Sequence, residues 1–473
     1  MTNFKLQPGT HIHLVGIGGA GMSAIAKVLL GRGFVVSGSD KQMNELTAVL
    51  QQQGATIYEG HKAEQIVGAD VLAISSAVPA HNPEVAAANE AGIPVLKRAD
   101  LMGHLMTDTI GIAVAGSHGK TTTTGMIAQI LLHAGLDPTV IVGGVLPLLG
   151  SNGRYGEGDY FVVEADEYDR MFLGLRPEVI VITSLEHDHP DIFPTKADYD
   201  DAFHKFVKLL PEDGRLIACA DDAGIAEFLQ TVDLADVEIT TYGVPEEDSA
   251  PLNVDFQALD CRPNQLGGTD FLVEVDSQII GLARLRVPGQ HNVRNALAAI
   301  IVGLDLEIDF VAIQQALAEF GGVGRRFQLI GEHGGVTVVD DYAHHPTEVA
   351  ATLEAARQRF PGRRLWAVWQ PHTYSRTKLL LDEFAACFGD ADRVVALDIY
   401  PSRETDTLGV SAAMVLEKMT HPKAVHMPKR EDAAAYILDR IRPGDVIITL
   451  GAGDGDAVGR WVLDGVKKMR NEE

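Results

Sequence analysis

The chain has 473 residues, 46% hydrophobic and 22% charged, with 39 Lys and Arg against 65 Asp and Glu and a net charge of -26. At roughly 150 residues per domain this length predicts about three domains, and the ordinary apolar fraction can fill several cores. So acidic a surface excludes general nucleic-acid binding, because phosphate backbones attract basic faces. An anionic ligand stays possible where local backbone N–H groups face it, since distant charge is screened over about 8–10 Å. Cys219, Cys261 and Cys387 have neither disulfide-framework nor zinc spacing. The opening MTNFKLQPGTHIH has no apolar signal region, and no stretch approaches the ~18 apolar residues of a membrane span. The expectation is a reduced, cytoplasmic protein with no membrane partner; its oligomeric state is open.

In chain order, HIHLVGI (11–17) reads as a strand, followed by a glycine turn and a helical pattern from Met22 to Leu30. FVVSGSD is a second strand ending at Asp40, VLAISSAV (71–78) a third, and PEVAAANEAG is helical. Strands alternating with helices predict a parallel sheet with helices on its faces. The turn Gly16-Ile17-Gly18-Gly19-Ala20-Gly21 matches G-x-G-x-x-G between strand and helix. Its glycines permit close backbone approach, and the helix N-terminus attracts a diphosphate. The motif specifies diphosphate more than nicotinamide, so it suits NAD or a UDP-sugar; it also serves as a tight connection with no ligand.

A second unit starts near Thr109. GIAVAG is a strand, SHGK a loop, and TTTTGMIAQILLHAG a helix. Backbone N–H groups of Gly116-Ser117-His118-Gly119 can cradle phosphates, Lys120 can reach the β/γ-phosphates, and the Thr121 hydroxyl can bind Mg²⁺. The loop is a variant, because Val114 stands where the standard pattern has glycine. YFVVEAD (160–166) and EVIVITS (178–184) are further strands. Glu164, Asp166 and Glu167 end the first, and Glu186, Asp188 and His189 follow the second. At the carboxyl ends of parallel strands these groups can converge on the phosphates. A dehydrogenase needs no second phosphate loop; a ligase or transferase using ATP on a nucleotide-linked substrate needs both. From about Pro245 to Gln278, short alternating runs predict a small β insertion. A third unit starts near Gly321, with VTVVDDYA, LWAVWQ, RVVALDIY and DVIITLGAG as strands. The domains expected are 1–108, 109–321 and 322–473.

Together HIHLVGIGGAGMSAIA, SGSD, AGSHGKTTTT, EADEYD, EHDH, PGQHNVRNALAA, GVGRRF, DDYAHHPTE, QPHTYSRT and GAGDG resemble the Mur ligase family, from His11 to Gly455. The resemblance implies an α/β fold of three domains: Rossmann-like for a UDP-sugar, P-loop ATPase-like, and a second Rossmann-like domain that closes over the site. It implies ATP- and Mg²⁺-dependent joining of UDP-N-acetylmuramate to L-alanine through an acyl phosphate, in peptidoglycan precursor synthesis. By the same resemblance Gly16, Gly18, Gly19, Gly21, Asp40, Ser75 and Ser76 serve the UDP-sugar. Gly116, Ser117, His118, Gly119, Lys120, Thr121, Thr122, His291, Asn292, Asn295 and Arg326 serve ATP. Thr121, Glu164 and His189 serve the metal, and Asp341, Tyr342, His344, His372 and Arg376 the amino acid. Lys120, Arg326 and His344 carry the catalytic roles, with His344 a candidate proton acceptor and proton loss to phosphate its rival. Arg326 is preferred to Arg325 by motif alignment. Related ligases carry a carbamylated lysine where YDDAFHKF has Phe203, and its absence favours the alanine-adding branch. Competing readings are attachment of a preformed tripeptide to the same sugar, an NAD-dependent oxidoreductase, and a non-catalytic nucleotide sensor.

Overall fold

The computed structural model describes residues 6–79, 81–233, 237–245 and 252–471. The first sheet contains β1 (His11–Val15), β2 (Val35–Asp40), β3 (Thr56–Glu59), β4 (Val71–Ile74) and β5 (Val95–Lys97), in the order β3-β2-β1-β4-β5. All its pairings are parallel. Strand order reverses at β1, so the crevice between the ends of β1 and β4 is where such a sheet binds ligands. The third strand is shorter than its sequence suggests. The chain turns after Ile74, where the Val78 N–H donates to the Ser75 carbonyl at 3.1 Å, and this carries Ser75 and Ser76 to the crevice. The helix Ala20–Gly31 is buried on all sides from Met22 to Leu29, including Lys27, whose Nζ donates to Ser151 (2.9 Å) and Asn152 (2.8 Å) of the second domain. Those bonds satisfy a buried ammonium and dock the first domain on the second.

The second sheet has ten strands: β6 (Ile110–Ala115), β7 (Thr139–Leu146), β8 (Ser151–Arg154), β9 (Tyr160–Glu164), β10 (Val179–Ile182), β11 (Arg215–Cys219), β12 (Glu238–Gly243), β13 (Phe256–Pro263), β14 (Thr269–Val275) and β15 (Gln278–Arg284). Their order is β15-β14-β13-β12-β11-β10-β6-β9-β7-β8. The apolar runs of β6, β9 and β10 are the fully covered parallel centre. The helix Lys120–His133 packs over β6, β7 and β9, and Gln290–Asp305 packs against that helix and over β11 to β14. The expected β insertion is an antiparallel meander that continues this sheet, joined where Tyr242 pairs with Phe256. Unpaired N–H and C=O groups on the edge of β12 favour that addition over a separate unit. Residues 246–251 of that stretch lie outside the described residues.

The third sheet contains β16 (Gln328–His333), β17 (Val336–Asp341), β18 (Leu365–Trp369), β19 (Arg393–Ala396), β20 (Ala424–His426) and β21 (Val446–Leu450). The order is β16-β17-β21-β18-β19-β20, parallel except for the β16 edge. Alternation along the strands fills both faces: Val339, Ala367 and Ile448 face one helical layer, and Val338, Trp366 and Ile447 the other. No helix among the described residues is long and apolar enough to cross a membrane.

Candidate active site at the domain junction

The phosphate loop joins β6 to the helix Lys120–His133. Gly116 has φ +132°, and an added Cβ would lie 2.9 Å from the Ser184 backbone, so only glycine fits. The Lys120 Nζ donates to the carbonyls of Gly116 (2.5 Å) and Ser117 (3.2 Å) and to Glu167 (3.0 Å). Burial opposes its charge, but Glu167 and Glu164 outweigh that and raise its pKa. The Thr121 hydroxyl donates to Glu164 at 3.0 Å, and the Gly143 N–H donates to the other carboxylate oxygen at 2.6 Å. Burial nevertheless pushes the Glu164 carboxyl up, outweighing Lys120. Glu167 keeps one buried oxygen with no hydrogen-bond partner. His189, at φ +55°, lies 3.5 Å from Glu167 and 3.7 Å from Asp188.

These groups line a cavity of ≈ 920 Å³ whose opposite wall, from the third domain, includes Tyr342, His344, His372 and Arg376. Arg376 donates to one oxygen of Asp188 through Nε (3.0 Å) and Nη2 (2.8 Å), a buried ion pair across the domains. Burial pushes the His344 imidazole down to about 3 and the His372 imidazole down to about 4. Asp341 stands apart from the other four residues expected at the amino acid. It faces a different cavity, and its carboxylate accepts the N–H groups of Phe327 (2.7 Å) and Ala343 (2.8 Å), fixing the turn after β17. Arg325 pairs with Asp340 at 3.0 Å and binds the Gly451 carbonyl, inside the third domain. Arg326 borders both cavities, 3.4 Å from Glu348.

That second cavity, ≈ 320 Å³, lies between the phosphate loop, the start of the helix Gln290–Asp305 and the helix Pro346–Arg359. His118, Gly119, Thr122, His291, Asn292 and Asn295 line it. Burial lowers the His291 imidazole to about 4. His118 bridges the domains, with Nε2 2.8 Å from Glu186 and Nδ1 3.2 Å from Glu348. Burial disfavours its charge, but the two carboxylates prevail and raise it to about 9. His118, Glu186 and His345 also bring potential metal-ligand atoms within 4.8 Å of one another. His118 therefore makes a charge-assisted hydrogen bond to Glu186 through Nε2 and an ion-pair contact to Glu348, its Nδ1 having no hydrogen-bond partner.

The third cavity, ≈ 520 Å³, is at the first sheet and is lined by Gly16, Gly19, Gly21, Asp40, Ser75 and Ser76 among others. Gly18 instead donates its N–H to Asp40 at 2.8 Å, setting the loop's shape. Beneath the cavity Glu84 is fully buried, 3.0 Å from His13 and 2.9 Å from His61. It also accepts from Ser39 at 2.7 Å. His61 is the part of this network that reaches the cavity wall. Arg98 enters the same cavity and pairs with Asp166 of the second domain at 2.7 Å.

Sequence reasoning assigned no role to Arg98, His61, Glu84 or Glu348. Arg98, His61 and Glu84 act through contacts distant in sequence, which no local spacing announces; Glu348 caps its own helix by accepting the N–H groups of His344 (2.9 Å) and His345 (3.3 Å) and also reaches His118 and Arg326. Glu167 and Asp188 lie in the acidic stretches expected to converge on the phosphates held by Lys120, and Glu167 does meet Lys120; the pairing of Asp188 with Arg376 across the domains has no signal in the sequence.

Three family descriptions match in succession: "Mur ligase family, catalytic domain" over residues 11–109, "Mur ligase middle domain" over 114–303, and "Mur ligase, glutamate ligase domain" over 325–453. A UDP-N-acetylmuramate–L-alanine ligase of Salinibacter ruber is 45% identical over 463 residues, covering 96% of this chain and 95% of the relative. One from Desulfotalea psychrophila is 44% identical, covering 94% and 95%. Among solved structures, the UDP-N-acetylmuramate-alanine ligase of Thermotoga maritima superposes with a TM-score of 0.81 at 28% identity, covering 98% of this chain and 100% of that one. A murein peptide ligase of Psychrobacter arcticus gives 0.72 at 26% identity, with 97% and 99% coverage. Phosphate loop, domain order and near-full-length likeness agree: the chain belongs to the Mur ligase family.

Proposed function

We propose that this chain joins the carboxylate of UDP-N-acetylmuramate to the amino group of L-alanine, with ATP converted to ADP and phosphate. The observation that carries the reading is one cavity with Lys120, Thr121 and Glu164 on one wall and His344, His372 and Arg376 on the other. The alanine-adding relatives, 45% and 44% identical, support the choice of acceptor. The working domains are 1–108 for the sugar nucleotide, 109–321 for ATP and 322–473 for the amino acid and closure.

The lactyl carboxylate attacks the γ-phosphate, giving an acyl phosphate and ADP. The amine attacks the activated carbonyl, and the tetrahedral intermediate expels phosphate. Activation is required because a carboxylate is a poor electrophile. Lys120 exchanges its Glu167 and carbonyl contacts for phosphate oxygens, and Arg326 approaches the transferring group from the domain junction. The adenine lies against His291, Asn292 and Asn295. The residues fit Mg²⁺: Thr121 and Glu164 form an oxygen pair beside the phosphate loop, and Glu167, whose Oε1 lies 3.5 Å from His189 and whose buried Oε2 has no hydrogen-bond partner, offers a second set. When bound there, Mg²⁺ supplies positive charge against the phosphate oxygens.

His344 changes role relative to the sequence expectation. Lowered to about 3, its neutral imidazole is too weak a base to take an ammonium proton. It accepts a hydrogen bond from the amine, and the proton leaves with the departing phosphate. Closure of the third domain excludes water from the acyl phosphate. Carboxylate oxygen-18 tests the route. One label from the lactyl carboxylate must appear in the released phosphate, and unlabelled phosphate would exclude the acyl phosphate.

A further inference from the structure

Arg403 follows β19, in a turn of the third domain, yet it lines the first-domain cavity of ≈ 520 Å³. Among the described residues it is the third domain's one contribution to that wall. It also borders the ≈ 920 Å³ reaction cavity, so it sits where the two spaces meet. Its guanidinium lies 5.5 Å from the Tyr168 ring centroid and has no carboxylate partner among the described residues. Arg98, the other arginine on the same wall, is already neutralised by Asp166 at 2.7 Å. Asp40 adds a negative charge there and is occupied by the Gly18 N–H. A diphosphate at the Gly16–Gly21 loop would meet only the partial charge of a helix N-terminus, about half a unit, and a Lys41 that is exposed. The cavity thus has one arginine with its charge unspent, and it comes from the far domain.

The turn that carries Arg403 is held firmly. The Tyr400 N–H donates to the Pro371 carbonyl at 2.8 Å, and the Thr373 N–H to the Tyr400 carbonyl at 2.9 Å. Glu404 accepts the N–H groups of Tyr374 (2.5 Å) and Ser375 (3.1 Å). Arg403 is therefore fixed to the segment bearing His372 and Arg376.

We propose that Arg403 is a direct ligand of the sugar nucleotide's diphosphate, supplied across the domain boundary. Occupancy of the first-domain cavity then helps seat the third domain over the reaction cavity. This rests on the sugar-nucleotide reading of the first domain.

The test is calorimetric titration of the full-length protein with UDP, UMP and uridine, for the unaltered chain, R403A and R403K. R403A is expected to weaken UDP binding about tenfold, as for one lost charge-assisted hydrogen bond, and to leave uridine unchanged. R403K restores part of the loss. In turnover, R403A raises KM for UDP-N-acetylmuramate by a similar factor and leaves KM for ATP within twofold. Equal UDP affinity in R403A and the unaltered chain would overturn the inference while leaving the sugar-nucleotide reading intact. A rise in KM for ATP alone would also overturn it, placing the guanidinium at the phosphate loop. An unaltered chain that binds no UDP would remove the sugar-nucleotide reading, and this inference with it. Arg403 is exposed, so a folded variant is expected, and a melting temperature matching the parent's checks this.

Discussion

Asp188→Asn removes a charge and keeps the shape. Asp188 and Arg376 form the buried ion pair between the second and third domains, with side chains 3% and 4% exposed. Burial alone would raise the Asp188 carboxyl, but Arg376 and the surrounding histidines hold it well below the usual range. A carboxylate with a depressed pKa stabilises above its ordinary titration range, and the contribution is lost only as pH falls through the depressed value. The pair is therefore intact throughout the neutral range. Breaking such a pair leaves an uncompensated buried charge and costs about 3–5 kcal/mol. Asn retains one acceptor oxygen for Arg376, so the lower figure applies, and about 3 kcal/mol is roughly a 100-fold change in an equilibrium. Since the two residues lie in different domains, the cost falls on domain closure and on the acceptor subsite at Arg376. Steady-state ADP release, with L-alanine varied, should show kcat/KM reduced about 100-fold. Activity within threefold of the parent would refute the argument that this pair holds the closed arrangement.

Three further outcomes follow from the same geometry. His118, raised to about 9, stabilises the contact with Glu186 and Glu348 fully below its ordinary 6.5, and loses that contribution as pH rises through about 9. Melting temperatures of the parent minus those of H118N, measured from pH 6 to 10, should therefore shrink toward high pH; a constant difference would contradict the bridge. Glu164→Gln should raise the Mg²⁺ concentration for half-maximal turnover by about 10-fold or more, and chelation should stop ADP release in the parent. Lys120→Ala should lower ADP formation by at least about 100-fold, and near-normal turnover would remove Lys120 from phosphoryl transfer.

The glycine loops were legible because a tight turn between strand and helix leaves a local signature, as at Gly16 and Gly116. Strands such as Ile110–Ala115 and Val446–Leu450 were legible because central parallel strands are apolar throughout. The alternation marks Phe256–Arg284 as β, but not that it extends the second sheet, since alternation says nothing about which edge a hairpin joins. The Asp188–Arg376 and His118–Glu348 pairs lie far apart in the chain, and only tertiary packing brings them together. His344 looked like a base because histidine ordinarily titrates near neutrality; the burial that suppresses its basicity is not written in DDYAHHPTE. Phe203 is buried in the helix Lys196–Val207, and Lys205 pairs outward with Asp201 at 2.6 Å, so the lysine two residues on is not turned toward the site.

The central claim is the acceptor, and ADP release with UDP-N-acetylmuramate and Mg²⁺-ATP tests it most directly, with L-alanine, glycine, L-serine or a murein tripeptide added in turn. Turnover is expected to depend strictly on the acceptor and to be fastest with L-alanine. Glycine and L-serine should be slower by the ~1–3 kcal/mol that a methyl group or hydroxyl can discriminate. Turnover with the tripeptide and none with L-alanine would contradict it.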